Sequence, residues 1–272
     1  MKFGLSMELD GPSWNESTCF DIYDEKYDSI DLPDDDLSSA KFDKKNNLTE
    51  SVFIIFSTPR SGSTALCDFF KKSNVCIPHE YFQPFQYMPY LAKRWCAHKD
   101  GILVPKLYVE KLCEKRTEDN GVLGVNLHGS HLKIFEYFLP YFPKQINFRG
   151  LVLKRRDKIA QAVSYFIASE SKVWSSHFGK RAAPSYSFEK IKSKLSSILS
   201  QEVLIDRYIA LKEFPVDVLF YEDLCSMKET IDLSNGSHVE RVVIDLARAS
   251  TKKQSKQVNN EYSQRFKNDL GL

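Results

Sequence analysis

The sequence has no long hydrophobic run, and this absence excludes a membrane-spanning class of protein. Its longest uninterrupted apolar stretch is the five residues from Val52 to Phe56, far short of the roughly 20 that a spanning helix needs. The first residues reach acidic side chains before any apolar segment begins, so we expect no secretory signal. Together these features predict a cytoplasmic protein without a membrane span.

The six cysteines are scattered along the chain, and no two of them form a Cys-x-x-Cys pair. Small secreted domains that depend on disulfides have dense cysteines, so we expect free thiols here. The closest approaches to metal-ligand spacing are Cys96 with His98 and His128 with His131. Neither pair has a second pair beside it in the sequence, and we therefore predict no metal site.

The net charge is only +2, but the two signs are unevenly distributed. Residues 1–50 contain 13 acidic and 5 basic side chains, whereas residues 51–272 contain 23 and 33. Acidic blocks without periodicity repel themselves, so residues 1–50 are predicted to be a disordered leader. The alternative is that this segment folds back over the basic body. The basic body indicates an anionic ligand, and because no nucleic-acid-binding signature is present we expect no nucleic acid partner.

From residue 51 onward, patterns typical of strands and helices alternate. Strands are predicted at 51–57, 121–127, 149–154 and 216–220, and helices at 63–73, 84–97, 103–115, 131–142, 157–173 and 188–213. After the last strand, Ser226 with Glu229 and Ser237 with Glu240 have capping-box spacing, which predicts short helices. The alternation predicts one α/β domain over 51–272, with a P-loop-like central parallel sheet flanked by helices.

The first predicted strand is followed by a segment with the features of an anion-binding loop, Thr58-Pro-Arg-Ser-Gly-Ser-Thr64. Ligands collect at the carboxyl ends of parallel strands, and a helix N-terminus offers unpaired N–H groups there. Gly62 permits an unusual turn, and Ser63 and Thr64 supply hydroxyls. The loop has one glycine and no following lysine, which excludes a Walker A loop. We expect Arg60 to take the place of that lysine, since its guanidinium suits paired oxygens.

The third predicted strand ends in Lys154-Arg-Arg156 and provides a second candidate anion site. Ser164 follows Arg156 by a little over two helical turns, so the two residues can share one side of the helix start. An arginine beside a helix N-terminus favours phosphate. Two anion sites at neighbouring strand ends indicate a nucleoside with phosphates at both ends.

In combination, these motifs resemble the sulfotransferase superfamily, and within it the bacterial trehalose 2-sulfotransferase type. The resemblance is carried by the loop 59–64, His79-Glu-Tyr-Phe82, the segment 153–164 and Tyr221-Glu-Asp-Leu224, and it covers about residues 51–270. It implies transfer of a sulfuryl group from 3′-phosphoadenosine-5′-phosphosulfate (PAPS) to a hydroxyl of a carbohydrate or another small acceptor. It also implies that the reaction needs no metal.

The resemblance assigns roles to individual residues. It implies that the 5′-phosphosulfate is held by Arg60, Ser61, Gly62, Ser63 and Thr64, and the 3′-phosphate by Arg156 and Ser164. Glu80 falls where the family has its catalytic base, and Arg60 would stabilise charge on the leaving group. Asn126 stands where we would expect a lysine in closer relatives, which leaves the acceptor open. It also leaves His128 and His131 as rivals to Glu80, because histidine is the commoner base in the cytosolic branch.

The acceptor site is less defined by the sequence. Candidates for it are Tyr81, Gln83, His128 and Trp174, because aromatic faces beside polar groups suit a sugar. Sulfotransferases of this kind often pair, so a homodimer is one expectation. Two alternatives stay open. One is an atypical small-molecule kinase, which would need Mg²⁺-ATP and an acid such as Asp217; the other is a non-catalytic nucleotide- or glycan-binding protein on the same fold.

Overall fold

The computed structural model describes residues 22, 32, 36–45, 48–174, 182–226, 229–232, 241–246 and 256–272. The strands in this part of the chain are β1 (Ser51–Ser57), β2 (His98–Lys99), β3 (Ile102–Leu103), β4 (Val122–His128), β5 (Asn147–Lys154), β6 (Val216–Phe220), β7 (Glu229–Asp232) and β8 (Arg241–Ile244). The helices are α1 (Ser63–Lys72), α2 (Tyr87–Arg94), α3 (Pro105–Arg116), α4 (Leu132–Phe138), α5 (Lys158–Ser171), α6 (Phe188–Lys212), α7 (Tyr221–Ser226) and α8 (Lys256–Asp269). Every strand and helix predicted up to residue 220 is present, with differences confined to the ends of elements.

The strands β4, β1, β5 and β6 form, in that order, a parallel sheet. In its register Ser51 lies opposite Val122 on one side and Asn147 on the other, so β1 is a central strand. All seven residues of β1 and of β4 are buried, as a parallel sheet covered on both faces requires. The predicted α/β fold with a central parallel sheet flanked by helices is confirmed.

The two faces of the sheet pack against different helices. β1 directs Val52, Ile54 and Phe56 into a core shared with α2, α3 and α4. Phe53 and Ile55 point to the opposite face, where α1 covers them. Successive side chains of a strand alternate between faces, so a continuous apolar run such as this one is stable only between two layers of helices.

Beyond α7 the structure differs from the sequence-based prediction. β7 and β8 form an antiparallel pair in which Thr230 lies opposite Val243 and Ile231 opposite Val242. The prediction of short helices from capping-box spacing is therefore wrong for 229–232 and 241–244, and Ser237 lies outside the described residues. Ile231, Val242 and Ile244 are buried beside the sheet. Burying one Val or Ile side chain stabilises the fold by about 1.5–3 kcal/mol. Three such side chains therefore outweigh a helix cap, which contributes about 0.5–2 kcal/mol.

The helix α8 and the short hairpin β2–β3 were not predicted from the sequence. α8 packs on α5 and α6 through a cluster that contains Phe166, Ile198 and Phe266. In the described part of the chain, no helix is both long and apolar enough to cross a membrane.

Residues 36–45 of the predicted leader contact the folded domain. Arg94 donates two hydrogen bonds to the carboxylate of Asp43, at 2.7 and 2.9 Å. The Nη1 atom of Arg116 lies 3.1 Å from the same carboxylate, and the Arg116 side chain is fully buried. Arg94 and Arg116 also donate to the backbone carbonyl of Ser38. These contacts join residues 36–45 to α2 and α3, whereas the choice between a disordered leader and one that folds back over the basic body stays a prediction.

Ile22 is a further described residue of the predicted leader. Its side chain is buried in the core above the first face of the sheet, and its N–H donates to the carbonyl of Gly101 at 2.8 Å. Apart from residues 22, 32, 36–45 and 48–50, the leader predicted to be disordered lies outside the described residues.

Candidate active site

The loop between β1 and α1 has the backbone form of an anion-binding site. Arg60 has a φ of 64° and Gly62 a φ of 98°, so two residues next to the start of α1 adopt left-handed conformations. Turns of this kind next to a helix N-terminus concentrate backbone N–H groups in a concave surface that favours anions. The loop predicted from the sequence therefore has left-handed residues directly before a helix N-terminus, a geometry that favours anions.

Ser61 adds a buried hydroxyl to this loop. Its side chain is fully buried, and its Oγ atom has no hydrogen-bond partner among the described residues. Leaving such a hydroxyl unsatisfied costs about 1–3 kcal/mol. The hydroxyl is closed off from solvent in this structure, so contact with a bound anion requires the loop to open or the side chain to turn.

Tyr221 covers Gly62. A Cβ atom built on Gly62 would lie 2.3 Å from Cδ2 of the Tyr221 ring, so the ring occupies the space of any side chain at that position. The guanidinium of Arg155 lies 5.4 Å from the centre of the same ring, close enough for a cation–π contact. The Tyr-Glu-Asp-Leu motif after β6 therefore belongs to the same site as the loop after β1.

Arg60 is fixed beside the loop by two contacts from α5 and the segment that follows it. Its Nε donates to Oγ of Ser164 at 3.0 Å, and its Nη1 donates to the backbone carbonyl of Trp174. Burial and the neighbouring Arg155 lower the pKa of Arg60 to about 10, which leaves the guanidinium charged at neutral pH. Ser164, predicted as a partner of Arg156, is thus hydrogen-bonded to Arg60.

Arg156 lies at the exposed end of the third parallel strand and is paired with an acid. Its two terminal nitrogens donate to the carboxylate of Asp223 at 2.5 and 2.7 Å. Glu222 accepts hydrogen bonds from the backbone N–H groups of Arg156, at 3.0 Å, and Asp157, at 3.2 Å. These N–H groups at the start of α5 are therefore occupied by a carboxylate. A phosphate here would contact the Arg156 side chain in competition with Asp223.

Gln161 was missed by sequence analysis, although it belongs to the loop's support. Its Nε2 donates to Oγ1 of Thr58 at 2.8 Å and to the carbonyl of Pro59 at 2.9 Å. The side chain is fully buried, so it fixes α5 against the phosphate loop. The available signal was its position one helical turn before Ser164, on the same face of α5.

The three candidate bases meet at the carboxyl end of β4. Oε2 of Glu80 lies 3.6 Å from Nδ1 of His128, and one polar atom from each of Glu80, His128 and His131 lies within 4.8 Å of the others. The two histidine rings are stacked, with centres 5.5 Å apart. Sequence analysis treated these three residues as alternatives for the catalytic base, whereas in the structure they form one cluster.

The sheet register brings this cluster to the edge that carries the phosphate loop. Ser57, the last residue of β1, lies opposite His128, the last residue of β4. Glu80 follows His79, whose backbone pairs with β4 beside Val125. The base candidates and the anion loop therefore lie at the carboxyl ends of adjacent strands.

The residues around the cluster differ in charge and exposure. Burial, and then the nearby His128, lower the pKa of His131 well below its usual value, so this imidazole is neutral at pH 7. The side chain of Glu80 is 23% exposed and that of His128 is 10% exposed.

Two polar residues beside the cluster have partners of their own. Nε2 of His79 lies 3.5 Å from Oδ1 of Asp36. Asn126 is buried and accepts a hydrogen bond from Oγ of Ser57 at 2.8 Å.

The remaining candidates for the acceptor site lie in different environments. Tyr81 is fully buried, its hydroxyl donates to the carbonyl of Ile77 at 2.7 Å, and burial raises its pKa. The Oε1 of Gln83 accepts from the N–H groups of Phe85 and Gln86, the two residues just before α2. Both side chains thus have structural contacts, whereas Trp174 is 40% exposed next to Arg60.

A comparison with protein families assigns the chain. The family model described as Stf0 sulphotransferase matches residues 52–269. The chain therefore belongs to the Stf0 sulphotransferase family, which confirms the resemblance drawn from the motifs. No curated protein matches the chain.

Proposed function

We propose that the protein transfers a sulfuryl group from PAPS to a hydroxyl of a carbohydrate or another small acceptor. The observation that carries this proposal is the shared sheet edge, where an anion loop with a buried, unsatisfied Ser61 lies beside the carboxylate of Glu80. An enzyme of this kind needs an anion site that holds the donor and a base close enough to take the proton of the attacking hydroxyl. Membership of the sulphotransferase family supports the same reaction.

The donor's 5′-phosphosulfate would lie in the loop from Arg60 to Thr64. Ser61 Oγ and the N–H groups at the start of α1 would donate to its oxygens, and Arg60 would face the bridging oxygen between phosphorus and sulfur. The 3′-phosphate would lie near Arg156 and Ser164. Both residues have partners in the structure, Asp223 and Arg60, so donor binding would exchange these hydrogen bonds for bonds to phosphate.

The reaction would be an in-line displacement at sulfur. The acceptor oxygen forms a bond to sulfur as the bond from sulfur to the bridging oxygen breaks, and the electron pair stays on the phosphate that leaves. Arg60 stabilises the charge that gathers there. Glu80 accepts the proton of the acceptor hydroxyl, a contribution typically worth about 10²–10⁴ in rate. We assign the base to Glu80 because it is the more exposed member of the Glu80–His128 pair.

The first experiment compares nucleotides as ligands. We expect 3′,5′-ADP, the product that the donor leaves, to stabilise the protein against heat, and ADP, AMP and Mg²⁺-ATP to do so less. A ligand at 100 times its Kd stabilises the folded state by roughly 2.7 kcal/mol, which a thermal shift detects. Arg156→Ala should weaken the effect, whereas Arg207→Ala, on the exposed side of α6, is the matched control.

This titration also separates the alternatives. Preference for Mg²⁺-ATP would replace the proposal with the kinase, whose candidate acid Asp217 has an exposed side chain on β6. Binding of 3′,5′-ADP without transfer to any acceptor would favour a non-catalytic binding protein.

The role of Glu80 is tested with labelled PAPS and a panel of sugars. We expect Glu80→Gln to lower transfer by about 10²–10⁴ and to leave the affinity for 3′,5′-ADP unchanged, because Glu80 does not belong to the phosphate loop. Glu110→Gln, on the exposed face of α3, should have wild-type activity. Full activity in Glu80→Gln would assign the base to another residue, and His128→Gln would then be measured.

A further inference from the structure

Glu80, His128 and His131 have the arrangement of metal ligands as well as of bases. Each offers one ligand atom, and the three atoms lie within 4.8 Å of one another. Among the described residues, they are the one group of three His, Cys, Asp or Glu side chains that meets this condition. His128 is the last residue of β4, and His131 lies in the turn after it. Glu80 directly follows His79, whose backbone pairs with β4 at Val125.

The distances suit a small tetrahedral ion. Bonds of about 2.0–2.1 Å from Zn²⁺ to nitrogen and oxygen put neighbouring ligand atoms about 3.3 Å apart. Nδ1 of His128 and Oε2 of Glu80 are already 3.6 Å apart. Since all separations in the group are within 4.8 Å, they have to close by at most about 1.5 Å, which rotation of the side chains supplies.

Two imidazole nitrogens of the cluster lack hydrogen-bond partners in the described part of the chain. Nε2 of His128 and Nδ1 of His131 are buried without a hydrogen-bond partner. The described ion pairs of Glu80 involve His128 and no lysine or arginine. A buried imidazole nitrogen without a partner costs free energy, and coordination through Nδ1 of His131 would offset that cost. His128 would coordinate through the Nδ1 that faces Glu80, so its Nε2 is not relieved by the ion. No described cation competes with an incoming ion for the carboxylate.

The donor set selects the kind of ion. Two imidazoles and one carboxylate are the protein ligands of zinc sites that keep a fourth position open. Imidazole nitrogen suits Zn²⁺, Co²⁺ and similar ions, whereas Mg²⁺ and Ca²⁺ prefer oxygen ligands.

We propose that Glu80, His128 and His131 bind a divalent transition-metal ion of the Zn²⁺ type, and that the bound ion takes Glu80 out of proton transfer. A carboxylate that donates its lone pair to the ion is a weaker base. The ion would therefore inhibit the reaction without touching the phosphate loop. This second half rests on the proposed function, whereas metal binding itself does not.

The test measures metal binding on the full chain. In calorimetry with Zn²⁺, and in absorption spectroscopy with Co²⁺, we expect one ion per chain in a site with nitrogen and oxygen ligands. His131→Gln should weaken binding by more than about 100-fold, because even residues that only orient metal ligands are worth about 10–100-fold. His98→Gln, the same substitution at a histidine on β2, should bind as the wild type does. His128→Gln repeats the test if His131→Gln does not fold.

Exposed thiols are the competing explanation, since Cys96 and Cys225 are exposed. A thiolate-to-cobalt charge-transfer band in the near ultraviolet, or binding that survives in both His131→Gln and His128→Gln, would overturn the proposal. Absence of binding would also overturn it.

The inhibition is measured separately. We expect Zn²⁺ to lower sulfuryl transfer in the wild type, His131→Gln to lose that sensitivity, and 3′,5′-ADP to bind equally well with and without the ion. If Zn²⁺ binds but 3′,5′-ADP does not, the proposed function fails and the metal site stands. If 3′,5′-ADP binds and Zn²⁺ does not, the metal site fails and the proposed function stands.

Discussion

At the scale of single residues, Gly62 combines a φ of 98° with a ring directly above it. We expect Gly62→Ala to lower the free energy of unfolding by about 2–4 kcal/mol, from backbone strain and from the clash with Tyr221. Thermal and urea denaturation measure this loss. Gly271→Ala is the matched control, because Gly271 has a φ of 75° but no atom within 4 Å of a Cβ built on it.

A second background isolates the clash. In a chain that carries Tyr221→Ala, the added methyl group meets no ring, so Gly62→Ala should cost less than it does in the wild type. If Gly62→Ala lowers the free energy of unfolding equally in both backgrounds, the whole loss comes from backbone strain and none from the clash.

Arg60 tests whether donor binding needs the paired N–H groups of a guanidinium, which can bind two oxygens at once. Since charged hydrogen bonds are worth about 1.5–3 kcal/mol, Arg60→Ala should weaken 3′,5′-ADP binding by about 10–100-fold in calorimetry. Arg60→Lys keeps the charge but loses the fork, and we expect an intermediate affinity. Unchanged affinity in Arg60→Ala would remove Arg60 from the donor site.

The sequence predicted individual site residues better than their partners. Arg60, Gly62 and Glu80 were found because turn chemistry and motif order are local in the chain. The hydrogen bond from Arg60 to Ser164 and the support from Gln161 depend on how α5 packs over the loop, which no local pattern encodes.

At the scale of elements, Glu222 joins the start of α7 to the turn before α5. Burial would raise the pKa of its carboxyl, but hydrogen bonds from the backbone N–H groups of Arg156, of Glu222 itself and of Asp157, together with the charge of Arg155, lower it overall. A carboxyl with a lowered folded-state pKa stabilises the fold above its unfolded pKa, about 4.3. That contribution disappears as the pH falls through the folded value.

Glu222→Gln should therefore lower the Tm at pH 7 and make the Tm fall less steeply below about pH 5. Thermal denaturation from pH 7 to pH 3.5 measures both. Glu110→Gln, with its carboxylate in an exposed pair 3.9 Å from Lys106, should follow the wild-type curve. Parallel curves for Glu222→Gln and the wild type would contradict the prediction.

Elements differed in how well the sequence predicted them. β1 was predicted at its observed bounds because its β-branched and aromatic run is bounded by the turn residues Pro59 and Gly62. The β7–β8 pair was missed because each strand has four residues and is stabilised by its partner and by burial of Ile231 and Val242. A capping signal is local, whereas strand pairing is not.

At the scale of the whole molecule, Asp43 connects a segment before β1 to two helices. Asp43→Ala would leave the buried guanidinium of Arg116 without its carboxylate partner. We expect the free energy of unfolding, measured with urea, to fall by about 3 kcal/mol. Glu110→Ala, which breaks the exposed pair with Lys106, should cost less than about 1 kcal/mol. Similar losses in the two variants would mean that residues 36–45 contribute little to the fold.

The domain boundary at residue 51 stays a prediction, although the contacts of Asp43 indicate that residues before it contribute to stability. The parallel sheet itself was predictable, since strands separated by helices leave few other arrangements. The order β4-β1-β5-β6 was not, because it depends on which strands pair after the crossovers have formed.

The central position of β1 has a consequence for synthesis on the ribosome. β1 is the first strand of the sheet to be made, and its neighbours β4 and β5 follow only after long intervening segments. His128, the partner of Ser57 in β4, follows it by 71 residues, which at about 5–20 residues per second corresponds to about 4–14 s of translation before an edge of β1 can pair. During that time the nascent chain carries an apolar strand with both edges unpaired, a form that chaperones bind and that aggregates when they do not.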